Sequence, residues 1–188
     1  MKLSRLLTVA FTLAVVAVPG CIITSAQVLT HFSLPNPFVI DSSVPGDQSE
    51  RVPVDLNVDP GADYTDNKDK LKGLLDVAIM GKFTNVNGPA GGVSVYIAPT
   101  YDLPAGGAPA PPSNAVLLWG PGTIGATGDV HVIGWDESAA LFNKAGKDLL
   151  ISEVKGDGQF TLYTTGTAGV YNIQVEDGVV ALVLDAGK

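Results

Sequence analysis

LDVAIMGKFTNVNGPAGGVSVYI, residues 75–97, is the stretch that decides the fold. In its first half the apolar side chains fall on one face of an extended chain, and its second half alternates apolar and polar residues with a period of two, which is typical of a half-buried strand. Between the halves lies a turn that is rich in glycine and proline. We therefore predict two strands joined as a β-hairpin, with a bulge at Gly81. The face residues are Val77, Ile79 and Phe83 in the first strand, and Val93, Val95 and Ile97 in the second.

Further strands flank this pair along the chain. Val52–Val58 alternates cleanly but contains Pro53, which cannot donate to a neighbouring strand and so indicates an edge strand, or a Pro53 that faces away from its neighbour. Residues 171–184 predict either a hairpin that turns at Asp177-Gly178 or one long strand with a bulge there. Shorter strands are predicted at residues 38–40, 115–119, 130–133 and from 160 onwards. Many short strands with Gly and Pro turns indicate an antiparallel β-sandwich or barrel, and we expect a sandwich.

Two helices interrupt this pattern. A short charged helix is predicted from Thr65 to Gly73, with Thr65 or Asp66 as N-cap. A longer helical insertion is predicted over residues 136–155, with Asp136 as N-cap and Gly146 as a candidate break. The stretch 99–113 holds five prolines and reads as a surface loop rather than as a domain linker, because neither flank looks able to form a core alone.

The first twenty-one residues have the features of an export signal. Lys2 and Arg5 precede an apolar run from Leu6 to Val18, which at thirteen residues is shorter than the ~20 that a membrane-spanning helix needs and fits the apolar core of a signal peptide. The run ends at Val18-Pro19-Gly20-Cys21, which resembles the lipobox of bacterial lipoproteins. Pro19 departs from the usual pattern of that motif. Cys21 is the only cysteine, so no internal disulfide forms.

That resemblance implies a signal peptide over residues 1–20, acyl chains on Cys21, and a tether or first strand over residues 21–34. Ile22 rather than Asp follows the cysteine, which in such proteins favours the outer membrane. The alternative is ordinary secretion, with cleavage after Thr24-Ser25-Ala26. Residues 35–188 would then be a single domain that is similar to the immunoglobulin-like sandwiches of bacterial envelope lipoproteins. The segments that carry this second likeness are Val52–Val58, Asp66–Lys72, Leu75–Ile97 and the apolar end of the chain.

Composition excludes some partners. Loss of residues 1–20 removes two basic residues and takes the formal net charge from −8 to −10. A strongly acidic chain without a basic stripe opposes binding to nucleic acid or to anionic lipid surfaces. The expected contacts are the membrane, through the acyl chains on Cys21, and a protein of the cell envelope.

Motifs for chemistry are weak, and we predict a non-enzymatic binding or structural module with no cofactor. Gly120–Gly125 matches G-x-G-x-x-G but no helix follows, so it predicts a glycine-rich turn. Asp59, Asp63, Asp66 and Asp69 form an acidic group that is a weak Ca²⁺ candidate, since hard cations need several oxygen ligands; Asp41, Asp47 and Glu50 form a weaker one.

The two histidines, His31 and His131, are too few for a zinc site, and His131 is expected to face solvent opposite Val130 and Val132. Trp119 and Trp135 are expected in the core. Two alternatives stay open. The first is a carrier of a small apolar ligand, which would need an enclosed cavity of ~300 Å³ or more. The second is a hydrolase whose site lies at His131 or the acidic loops.

Overall fold

The computed structural model describes residues 25–58, 62–101, 103–167 and 169–187. The signal peptide, Cys21 and Asp59 lie outside the described residues, and so does the side chain of Asp63. The described strands are β1 Ser25–Ser33, β2 Phe38–Asp41, β3 Ser49–Asp55, β4 Leu71–Asn87, β5 Gly91–Ala98, β6 Gly106–Ala108, β7 Val116–Ile124, β8 Val130–Ile133, β9 Gln159–Gly166 and β10 Asn172–Gly187. The helices are α1 Ala62–Thr65, α2 Trp135–Ala139 and α3 Lys144–Lys155, with a 3₁₀ turn at Lys68–Lys70.

These strands form two antiparallel sheets. Sheet A has the order β1-β10-β4-β8, with β2 also paired to β10, and sheet B has the order β6-β3-β9-β5-β7. A continuous apolar core includes residues from both sheets and from α3. The prediction of a mainly β, antiparallel sandwich is confirmed.

The predicted hairpin of residues 75–97 is wrong in its pairing, although both of its strands exist. β4 pairs with β10 and β8, whereas β5 pairs with β7 and β9. The short connection between them crosses from one sheet to the other. Both strands carry a strongly apolar face, and packing the faces on opposite sides of one core removes both from water, which side-by-side pairing alone does not do.

β10 is one long strand, so the bulge alternative at Asp177-Gly178 is the observed one. Glu176 pairs with Lys82 and Val179 with Met80, which leaves two residues of β10 opposite Gly81 of β4. The bulge that was predicted at Gly81 of β4 is therefore found in β10, directly opposite Gly81. A Cβ on Gly81 would lie 3.3 Å from the carbonyl oxygen of Glu176, so Gly81 allows the bulge to approach.

The pairings define two ends of the sandwich. At the proximal end β1 begins beside the end of β10, and β4 also begins there. At the distal end β10 begins beside the ends of β2 and β4. Residues 25–33, which the sequence left open as a tether or a first strand, form β1 along one edge of sheet A. No helix in the described part of the chain is long and apolar enough to cross a membrane.

The long helical insertion is two helices, and the break is not at Gly146. α2 begins after Gly134, and α3 begins after Asn143, whose side chain accepts a hydrogen bond from the backbone N–H of Ala145 at 3.0 Å. Gly146 lies inside α3 because the helix crosses β7 there at backbone contact. Asp136 is therefore not an N-cap, and Gly146 does not break the helix. Both outcomes depend on where α3 packs, which the local sequence does not show.

The short helix also differs from its prediction. α1 ends at Thr65, the 3₁₀ turn follows Asn67, and Gly73 lies within β4. Tyr64 anchors this region, because its buried hydroxyl donates to the carbonyl oxygen of Val154 at 2.8 Å, and burial raises the pKa of Tyr64 to about 12.

β3 ends at Asp55, earlier than predicted. β6 covers it only over residues 49–51, so Pro53 lies where that side of β3 has no described strand beside it. This agrees with the edge position that the proline predicts.

Candidate interaction groove

A groove on the outer face of sheet B is the largest concave feature of the three that we describe. It has a volume of about 320 Å³ and is open to solvent. Its lining comes from β5, β9 and the returning half of the proline-rich loop: Tyr96, Pro111, Pro112, Ser113, Ala115 and Thr165. We call it the Tyr96 groove.

The proline-rich stretch forms one wall of this groove because it folds back onto the sheet. It leaves β5, adds β6 to the far edge beside β3, and returns to begin β7. Arg51 Nε donates to the carbonyl oxygen of Pro104 at 2.8 Å, and Thr161 Oγ1 donates to that of Thr100. The backbone N–H of Ala115 closes a turn on the carbonyl oxygen of Pro112 at 2.9 Å. Prolines restrict this chain further, so the wall is built before a ligand arrives.

The floor of the groove, formed by Tyr96 and Thr165, is also fixed by hydrogen bonds and packing. Thr165 Oγ1 donates to the carbonyl oxygen of Gln48 at 3.0 Å and lies 3.2 Å from the hydroxyl of Tyr171. Tyr96 is half-buried and packs against a small apolar cluster that contains Ala98, Ala108 and Tyr163. The ring of Tyr96 is thus fixed with part of its surface left in the groove.

Among the described residues, the lining carries no charged side chain. It offers an aromatic ring, two proline rings and three hydroxyl groups. Rings of this kind favour apolar or proline-containing segments in an extended conformation, and hydroxyls supply hydrogen bonds to a passing backbone. No carboxylate, imidazole, amine or thiol is found among the described residues that line the groove.

The histidines are not brought together. His31 lies on β1 and His131 on β8, the opposite edge strands of sheet A. His131 Nε2 lies within hydrogen-bond distance of Glu137 Oε1, at 2.8 Å, and both side chains are accessible to solvent. The prediction that His131 faces solvent opposite the two valines is wrong. Val130 and Val132 are 50% and 69% exposed, and the half-buried His131 lies on the same face of β8 as the buried Ile133.

The acidic loop does not form a metal site among the residues described. Asp66 and Asp69 are exposed, and no group of three His, Cys, Asp or Glu in the described part of the chain is arranged to hold a metal ion. Asp59 and the side chain of Asp63 lie outside that part.

The second acidic group has other partners at the distal end. Ser43 donates through both its backbone N–H and its hydroxyl to Asp41, which lowers the pKa of that carboxyl. Asp47 is exposed, whereas Glu50 is buried. Burial raises the pKa of Glu50, the charge of Arg51 opposes the rise, and Asp47 adds to it.

The glycine-rich motif is part of a strand. Gly120 to Ile124 belong to β7, so the predicted turn is wrong up to that point, and Gly125 begins the connection to β8. Gly120 has φ +105°, and a Cβ on it would lie 2.6 Å from the carbonyl oxygen of Val93 and 3.0 Å from Ser94 Cα. A side chain would not fit there, and the glycine serves packing between β7 and β5 rather than phosphate binding.

The two tryptophans have different surroundings. Trp119 is fully buried, as predicted, and stacks on Phe83 with 6.3 Å between ring centroids. Trp135 is only half-buried and donates from Nε1 to Asp76 Oδ2 at 3.1 Å.

Two smaller cavities bear on the carrier alternative. One of about 70 Å³ lies at the edge between β1 and β3, and one of about 10 Å³ lies at the distal end beside Asn85. A cavity of the second size holds about one water molecule. Neither approaches the ~300 Å³ at which small-molecule pockets begin, so neither supports a carrier.

The groove itself was missed by the sequence. The sequence predicts Pro111 and Pro112 as part of a surface loop, and it places Tyr96 in a strand in which it alternates with Val95 and Ile97. The available signal was an outward tyrosine in a strand followed by a long proline-rich loop, but nothing in the pattern says that the loop returns over the same face.

Comparison with protein-family models, with curated proteins and with solved structures finds no match to this chain.

Proposed function

We propose that this chain is a lipid-anchored protein of the bacterial cell envelope whose sandwich binds an extended, uncharged segment of a partner protein in the Tyr96 groove, without catalysis. The observation that carries this proposal is the groove: an open, prebuilt, uncharged channel with an aromatic floor and a proline wall.

The dimensions and chemistry of the groove support a peptide ligand. About 320 Å³ accommodates a few side chains. Because the loop that forms the wall is already bound to sheet B, it loses little conformational entropy when the ligand docks, and this favours affinity. Because the groove is uncharged, the chain's acidic surface would raise the association rate of a basic partner without contributing to the contact in the groove.

The lipid anchor is supported by the lipobox-like sequence and by where the sandwich begins. β1 starts at Ser25, four residues after Cys21. Acyl chains on Cys21 would hold the proximal end of the sandwich near the bilayer, and more than one chain is needed for durable anchoring.

The anchor is tested by Cys21→Ala in the producing cell, with Ser33→Ala as the matched control. We expect Cys21→Ala to move the protein from the membrane fraction to the soluble fraction, while Ser33→Ala stays with the membrane. Membrane association of Cys21→Ala equal to that of the control would overturn the anchor.

Groove binding is tested with a photo-crosslinking amino acid at Ser113 in intact cells, and the matched control is the same probe at the exposed Ser152 of α3. We expect a discrete adduct with another envelope protein from position 113 only. Equal adducts from both positions, or none from position 113, would overturn binding in the groove.

A further inference from the structure

β1 is an edge strand without the usual protection. Among the described residues it pairs on one side only, with β10, and α1 lies near it without a β-bridge. Its nine residues, SAQVLTHFS, contain no charged residue, proline or glycine. Such an edge presents backbone N–H and C=O groups that another strand can pair with.

The other described edges are blocked. The uncovered part of β3 contains Pro53, while β2, β6 and β8 are only four, three and four residues long. β7 is covered by the connection from α2 to α3, in which Gly120 N donates to the Leu141 carbonyl oxygen and Asn143 N to that of Leu118, both at 2.9 Å. Short strands, prolines and covering segments are the ways in which sheets prevent further pairing, so the exception at β1 needs a reason.

The sequence of β1 is complementary to itself when reversed. In an antiparallel register centred on Leu29, Gln27 lies opposite His31 of a second copy, Val28 lies opposite Thr30, and Leu29 lies opposite Leu29. The outer-face residues thus form a hydrogen-bonding pair on each side of an apolar pair. Cross-strand pairs of this kind stabilise antiparallel sheets.

Charge opposes a second copy less at this edge than elsewhere on the surface. The whole chain has a formal net charge of −8, so two copies repel each other over most of their surfaces. β1 is free of charge, and Leu29 is 65% exposed. Pairing there brings no like charges into register and removes an exposed leucine from water.

We propose that β1 is a homodimerisation edge, at which two copies of this chain pair antiparallel about a two-fold axis through Leu29 and join their A sheets into one. The interface is isologous, since each residue contact occurs twice. It does not involve the Tyr96 groove, which lies on sheet B. Because the paired strands are antiparallel, the two proximal ends lie at opposite ends of the joined sheet, so both acyl anchors reach one bilayer when β1 lies along the membrane plane.

The test is oxidative crosslinking of the full chain carrying Leu29→Cys, in the cells that produce it. Residues directly opposite in antiparallel strands have Cα atoms about 4.5–5.5 Å apart, which is within disulfide reach. We expect a reducible band at twice the chain mass, absent from the wild-type chain, which controls for Cys21. A monomer band alone, or a band at another mass from pairing with a different protein, would overturn the proposal.

Register supplies the matched controls. Gln27→Cys alone places the two thiols four residues apart along the strands, about 13 Å, beyond disulfide reach, and we expect no dimer from it. Gln27→Cys with His31→Cys restores opposed thiols and should crosslink. Val132→Cys, on the equally exposed β8, should not. Equal crosslinking of all four variants would mean random collision and would overturn the register.

A second variant tests the interface without a crosslink. Leu29→Lys places two positive charges at the two-fold axis, so we expect a monomer by sedimentation in detergent where the wild-type chain is a dimer. Its thermal midpoint should stay unchanged at low protein concentration, because the side chain is exposed in the single chain. A dimer of unchanged affinity would contradict the proposal.

Discussion

Asn36 and Asp177 exchange two hydrogen bonds across 141 residues of sequence. Asn36 Nδ2 donates to Asp177 Oδ1 at 2.9 Å, and the backbone N–H of Asp177 donates to Asn36 Oδ1 at 3.1 Å. Asp177 has φ +52°, the only positive φ of a non-glycine residue in the described chain. The pair thus holds the bulge of β10 at the point where the chain passes from β1 to β2.

Asp177→Ala should destabilise the fold by about 1–3 kcal/mol. The change removes a hydrogen bond and leaves a Cβ-bearing residue in the left-handed region without the local bonding that favours aspartate there. Asp177→Asn should cost much less, since Asn tolerates the same φ and retains the side-chain oxygen. Urea denaturation of both variants, with the exposed Asp66→Ala as control, measures the difference. Equal stability of Asp177→Ala and the control would contradict this role.

Gly146→Ala should destabilise the protein although alanine favours helices. A Cβ at this position would overlap the Leu117 carbonyl oxygen and Leu118 Cα of β7, so α3 must shift outward. Overpacking of this kind costs about 1–3 kcal/mol or more, against a gain of ~1 kcal/mol in helix propensity. Gly73→Ala is the matched control, since nothing lies within 4 Å of its Cβ. Thermal unfolding should show a lower midpoint for Gly146→Ala alone, and a midpoint at or above wild type would show that α3 is not in backbone contact with β7.

Ser138→Ala should cost about 1–3 kcal/mol, because it leaves a buried donor unpaired. Ser138 Oγ accepts from the backbone N–H of Ile79 at 2.7 Å, and both its Oγ and its carbonyl oxygen lie 3.1 Å from Trp119 Nε1. The exposed Ser152→Ala is the control and should be neutral. Hydrogen exchange at the Ile79 amide gives a local readout: protection equal to that of the wild type in Ser138→Ala would contradict the bond.

Glu50→Gln should stabilise the protein at neutral pH. Burial raises the folded-state pKa of Glu50 above its ordinary value of 4.5, so the folded chain binds a proton more readily than the unfolded chain. The ionised side chain therefore reduces stability above the folded-state pKa, and this cost declines as the pH falls and is gone below about 4.5. Urea denaturation at pH 7 and pH 4 measures it. A variant that is less stable than the wild type at pH 7 would contradict the sign.

Strands could be predicted from the sequence, but their partners could not. Residues 130–133 form β8 with the predicted bounds, since alternation with β-branched residues is a local property. The pairing of β4 with β10 is not local, because these strands are far apart in the sequence and become neighbours only when β4 and β5 enter different sheets. The same limit applies to Gly146, which reads as a helix breaker until the strand that packs against it is known.

The candidate site was harder still. Tyr96 and Pro112 are 16 residues apart with a low-complexity segment between them, and their proximity follows from the pairing of β6 with β3. The lipobox-like residues can be identified from the sequence because such a motif consists of consecutive residues. A groove that forms when a loop returns over a sheet has no such linear signature.

The most direct test of the proposed function is the yield of the photo-crosslinked adduct from position 113 in cells, measured with Tyr96 intact and with Tyr96→Ala. The account predicts a discrete adduct whose yield falls at least tenfold in Tyr96→Ala, which corresponds to about 1.4 kcal/mol of lost binding, while the thermal midpoint shows that the sandwich remains folded. An adduct of equal yield in the folded Tyr96→Ala variant would contradict binding in the Tyr96 groove.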